Sequence, residues 1–120
     1  MSNGETQVFN LAEALERVEG DMDLFREMID IFLEECPRML ADLEHAVAAS
    51  DPQALHHVAH TLKGSVSNFG APRATTASLA LETMGRQQEL AQAVAALTTL
   101  KNEIALLGSA LAMWKEKEAA

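Results

Sequence analysis

Along the chain, apolar residues return every three or four positions, so each run marks out one side of a helix. From about Leu24, the series Phe25, Met28, Ile29, Phe32, Leu33, Leu40, Leu43 and Val47 predicts a long amphipathic helix reaching about Ala49. Pro37 lies inside it. A proline there removes one ladder bond and presses on the carbonyl four residues back, which predicts a kink near Leu33 to Cys36. Ahead of this run, Asn10 followed by Glu13 has capping-box spacing and starts a short helix, Leu11 to Val18, which Gly20 ends. Asp21 or Asp23 caps the long helix. Asp51-Pro52 restarts the pattern, with Asp as N-cap and Pro at the first helical position. The third helix then runs to about Phe69 and closes on Gly70 as a left-handed cap. Pro72 opens a fourth helix to about Met84, ended by Gly85. A fifth stretches from about Gln87 to Lys115, weakened or bent at Gly108 and Ser109.

Short connections between long amphipathic helices force antiparallel neighbours. The expected fold is all-α: an up-down antiparallel four-helix bundle with a short additional N-terminal helix. Composition agrees, since Tyr is absent, aromatic residues make up 4%, and clusters of strand-favouring residues are few. A length of 120 residues suits one domain, 1–120, with 1–7 as a flexible tail and 116–120 frayed. The formal net charge of -9 argues against a nucleic-acid binder, which needs a basic face. No apolar run is long enough to span a membrane, and the N-terminus lacks the features of a secretory signal. A cytoplasmic setting is expected. The single cysteine, Cys36, excludes an internal disulfide and a Cys-rich zinc site, and reads as a small core residue.

The third helix departs from simple amphipathicity. At about 100° per residue, with Leu62 at zero, Leu55, Val58, Ala59, Val66 and Phe69 fall within roughly 60° and form the buried stripe. His60 lies about 160° away on the same wheel, and His56, Lys63, Gly64 and Ser67 share its polar strip. A core histidine would lie on the other side. An ordinary solvated histidine would not need these neighbours. Lys63 at i+3 and Gly64 at i+4 are adjacent to His60 on the outer surface. Glycine in a helix interior costs about 1 kcal/mol relative to alanine, and its return is steric: nothing stands over the imidazole. A nucleophilic nitrogen, a flexible ammonium one turn along and a cleared patch suit phosphoryl transfer, where positioning and charge neutralisation carry the catalysis.

These residues also carry a family resemblance. His60-Thr61-Leu62-Lys63-Gly64-Ser65, followed by Asn68-Phe69-Gly70-Ala71, resembles the histidine-containing phosphotransfer (HPt) domain of bacterial multistep phosphorelays. The flanks from Val8 to Arg86 are similar too. The last helix matches only in general character. The resemblance implies that His60 is the phosphoacceptor, that Lys63 steadies the phosphoryl group, and that Gly64 lets a partner's active site close over it. It implies a stoichiometric carrier without kinase activity of its own, consistent with the lack of a Gly-rich phosphate loop. The donor and acceptor would be aspartyl phosphates on receiver domains, those of response regulators or of a hybrid sensor histidine kinase. No cofactor or metal is expected on this chain, because the receiver brings its own metal ion and lysine. In relatives a neutral polar residue of the fourth helix sometimes touches the phosphoryl group; none is assigned here, and Gln87 and Gln88 lie beyond the stretch that carries the resemblance. The expected receiver-docking surface takes in His56, Ser67, Leu11, Leu15 and Phe25, the alternative for the last three being that they pin the short helix to the bundle. The bundle is expected to be monomeric and to bind neither membrane nor nucleic acid.

Two other classes remain open at this level. His56 and His60, at i and i+4, have the spacing of metal ligands, but no third ligand shares their face. A non-catalytic helical interaction module would need a wide apolar groove, whereas Glu34, Glu35, Asp42 and Glu44 on the second helix, and Lys101 and Glu103 on the last, read as solvated faces.

Overall fold

The computed structural model describes residues 7–119; the predicted tail is therefore outside the described residues except for Gln7. Five helices follow in order: α1 (Leu11–Arg17), α2 (Met22–Ala48), α3 (Pro52–Ser67), α4 (Pro72–Gln87) and α5 (Ala93–Ala119). Each of the first three starts on a side-chain cap. Asn10 accepts from the Glu13 amide at 3.0 Å, Asp21 from Leu24 at 3.0 Å, and Asp51 from Ala54 at 3.1 Å. Asp21 is thus the cap of α2, and Asp23 instead pairs with Arg26 at 3.2 Å.

The capping box at Asn10 is only half formed. The Asn10 amide, which Glu13 was expected to satisfy, donates to the carbonyls of Phe69 at 3.2 Å and Gly70 at 2.8 Å. The start of α1 is therefore tied to the turn between α3 and α4. Gly70 holds that turn at φ +60°, and a Cβ there would stand 2.9 Å from Glu13 Oε2 and 3.1 Å from the Asn10 carbonyl.

The α2 helix is one continuous element through Pro37, which removes a single ladder bond without ending it. The α3 helix ends two residues earlier than expected. The fourth helix does not stop at Gly85 but runs on to Gln87, where Gln88 takes the left-handed cap at φ 58°. The last helix starts at Ala93 rather than Gln87 and continues past Lys115 and through Gly108.

The bundle is a ring of neighbours: α2 on α3, α3 on α4, α4 on α5, and α5 back on α2, with α1 against α2. Each short turn reverses the chain between helices packed side by side, as in an up-and-down bundle. The core runs from Phe25, Ile29 and Leu43 on α2 through Leu55, Leu62 and Val66 on α3 to Leu81, Leu100, Leu107 and Leu111. At one end, Phe25 meets Trp114 edge-on at 4.9 Å and Phe69 at 6.0 Å, and Phe32 lies 5.2 Å from Phe69. Phe25 was expected on the docking surface. It is 0% exposed, a core anchor whose ring is enclosed by α3's end and by Trp114 of α5.

Candidate functional site

The buried stripe of α3 (Leu55, Ala59, Leu62 and Val66) faces the core, which turns His60 outward with its side chain 63% exposed. The α4 helix runs close beside it. A Cβ on Gly85 would stand 2.6 Å from both the His56 amide nitrogen and the Pro52 carbonyl oxygen, so at this point backbone meets backbone. Gly85 is therefore a close-approach residue inside α4 and not its terminator.

One turn before Gly85 sits Glu82, an acid only 4% exposed. Its Oε2 lies 2.9 Å from His60 Nδ1, and its Oε1 lies 2.8 Å from Lys63 Nζ. The hydrogen bond from Lys63 holds the Glu82 carboxyl below the usual carboxylate range. The hydrogen bond from His60 adds to that effect, while burial opposes it. An ionised carboxylate only accepts, so His60 donates through Nδ1–H. In the neutral ring Nε2 then keeps the lone pair. His56 follows the same logic from its neighbouring turn. Its Nδ1 is 3.2 Å from the Glu82 backbone carbonyl, which also only accepts, so this ring is an Nδ1–H donor as well.

Glu82 escaped the sequence reading, although a signal existed. It falls on the buried stripe of α4 with Ala74, Ser78, Leu81 and Gly85. An acid on such a stripe needs a buried or semi-buried cationic partner, and the polar strip of α3 supplies two donors. Gln87 and Gln88, by contrast, are exposed at the far end of α4.

Gly64 is exposed, and a Cβ there would meet nothing within 4 Å. The packing of this chain leaves room for a side chain at that position, so nothing within the bundle requires glycine there. Ser67 spends its hydroxyl on the Gly64 carbonyl at 2.9 Å. Leu11 and Leu15 are half-buried against the core. His56 is half-buried and engaged with α4, so its ring is not freely offered to a partner. A different apolar groove lies near the site, lined by Met28, Ile31, Phe32 and Met39 of α2 together with Ser65 and Asn68.

The rings of His56 and His60 stack at 6.2 Å and 21°. With both Nδ1 atoms turned onto Glu82, the rings would have to leave this arrangement to share an ion at about 2.0–2.1 Å from each. Among the described residues no group of three His, Cys, Asp or Glu side chains is placed to hold a metal ion. Cys36 is buried, and burial with the nearby Glu35 charge pushes its thiol up to about 11, so it offers no nucleophile. No helix among the described residues is long and apolar enough to cross a membrane.

The fold has solved counterparts. The crystal structure of histidine-containing phosphotransfer protein B (HptB) from Pseudomonas aeruginosa PAO1 superposes with a TM-score of 0.84 at 28% identity, covering 91% of this chain and 95% of that one. The HPT domain of a sensor hybrid histidine kinase from Shewanella superposes with a TM-score of 0.81 at 18% identity, covering 94% and 97%, a likeness of fold. No match was found among curated proteins. The family model for the Hpt domain matches residues 27–110, a span that includes His60, Lys63, Gly64 and Glu82. With that match over most of its length and an outward histidine flanked by lysine and glycine, the chain belongs to the Hpt domain family.

Proposed function

We propose that this chain is a phosphorelay carrier that takes a phosphoryl group onto His60 from the aspartyl phosphate of one receiver domain and passes it to the aspartate of another. The observation that carries this reading is the 2.9 Å contact between His60 Nδ1 and Glu82, which in the neutral ring leaves Nε2 bare on an exposed face beside Lys63.

In the forward step the Nε2 lone pair forms the N–P bond. The P–O bond to the receiver's carboxylate breaks, and the electron pair leaves with that carboxylate. No proton has to move. The phosphorylated ring keeps its Nδ1–H and carries positive charge, which the Glu82 carboxylate offsets through the same hydrogen bond. Lys63 leaves or shares Glu82 Oε1 to neutralise the phosphoryl oxygens. The reverse sequence delivers the group to the second receiver. A divalent ion for either step belongs to the receiver, and the carrier has no kinase activity of its own. Receivers dock over the outer face of α3, with Gly64 giving clearance. Leu11 and Leu15 on α1, whose start is tied to the turn after α3, and the groove of Met28, Ile31 and Ser65 are the apolar surfaces offered to the same receiver.

Incubation with phosphorylated receiver domains tests the reading. An acid-labile, alkali-stable phosphate should appear on this chain, and His60→Gln should abolish it while the circular dichroism spectrum stays unchanged. Label that persists in His60→Gln, or that proves acid-stable, overturns it.

A further inference from the structure

We propose that His56 and Gly85 are positioning residues, forming a clamp between α3 and α4 that holds Glu82 where it fixes His60 in its Nδ1–H tautomer. The effect on transfer rests on the carrier reading. The clamp itself rests on geometry alone.

Three contacts define it, within one turn of α4 and along α3 from Pro52 to Lys63. Gly85 lets the α4 backbone reach α3, because a Cβ would stand 2.6 Å from the His56 amide nitrogen, 2.6 Å from the Pro52 oxygen and 2.9 Å from His56 Cα. Those are backbone atoms near the start of a helix capped by Asp51, so they cannot swing aside as a side chain would. The His56 ring grips from the other direction, donating to the Glu82 carbonyl at 3.2 Å. This carbonyl belongs to the residue whose carboxylate holds His60 and Lys63. His56 therefore fixes the backbone of Glu82, and Gly85 fixes how near that backbone lies.

Magnitude decides whether this matters. Ordinary carbon contacts begin near 3.5 Å, so an added methyl at position 85 drives α4 outward by roughly 1 Å. The 2.9 Å bond from His60 Nδ1 would stretch beyond the range in which a hydrogen bond is formed. The carboxylate would remain nearby but would no longer select the tautomer. A ring free to carry its proton on Nε2 has no lone pair there for attack on phosphorus.

Nitrogen-15 NMR of the histidine rings in the full chain reads the tautomer directly, without any partner. His60 in the wild type should show a protonated Nδ1 and a bare Nε2 slightly above neutral pH. Gly85→Ala and His56→Leu should each convert His60 to a tautomer mixture and slow phosphoryl acceptance on the order of tenfold or more. His56→Asn, whose side-chain amide can still donate to the Glu82 carbonyl, should restore most of both properties. If Gly85→Ala fails to fold, the His56 pair decides. An unchanged His60 tautomer in His56→Leu and in folded Gly85→Ala overturns the clamp, and so does an Asn variant that behaves like Leu. A wild type that accepts no phosphate while these tautomer shifts occur would instead overturn the carrier reading and leave the clamp standing.

Discussion

The chemistry of the site concentrates in a buried carboxylate that serves two donors at once. His60, Lys63 and Gly64 are legible in the sequence because they lie within one turn, and helix geometry alone makes them neighbours. Glu82 is not, because it reaches them from 22 residues away and only the packing of α4 on α3 sets the register. Its roles in stability and in transfer should separate. In Glu82→Leu both former partners can turn to water, so no charge is stranded. Stability measured by urea titration should change by no more than about 1 kcal/mol or should rise, while transfer falls markedly in a radiolabel assay. Lys63→Ala should keep the fold and slow transfer by about tenfold. The carboxyl of Glu82 is held below its ordinary value of 4.5, so its favourable contacts are present above that pH and are lost as acid protonates it in the folded state. The difference in melting temperature between wild type and Glu82→Gln should therefore be largest near neutrality and shrink below pH 4.5.

Helix types and most starts follow from local signals, because Asn10, Asp21 and Asp51 each cap the helix that their sequence position announces. Helix ends are harder. Glycine serves both as a left-handed stop and as a place where two backbones touch; Pro72 soon after Gly70 supports the stop, but nothing local marks Gly85 as the contact. Gly70 is a stop with φ +60°, and Gly85 is a contact point inside a continuous helix. Phe25 was assigned to the surface on the same partial information. Its helix has apolar residues on more than one flank, and only the arrival of Phe69 and Trp114 shows which flank is enclosed. Gly70→Ala should cost about 1–3 kcal/mol in denaturant titrations, because the residue must both hold a strained φ and push against Asn10 and Glu13.

At the scale of the molecule, α5 closes the ring through α2 and α4 and lies diagonally across the bundle from α3. The outward face of α3 that carries His60 therefore lies across the bundle from α5. Leu107→Ala, deep in that closing helix, should lower stability by about 2–5 kcal/mol, yet the phosphoryl acceptance rate should be unchanged wherever the domain remains folded. This separation has a practical side when combined with the enclosure of Cys36. A thiol that is buried and holds its proton to about 11 is nearly silent toward alkylating dyes at neutral pH. A reporter cysteine placed at Val94, which is 70% exposed on α5, would take a fluorophore almost alone in the native background. On the proposed carrier reading, docking of a receiver over α3 can then be followed optically from across the bundle.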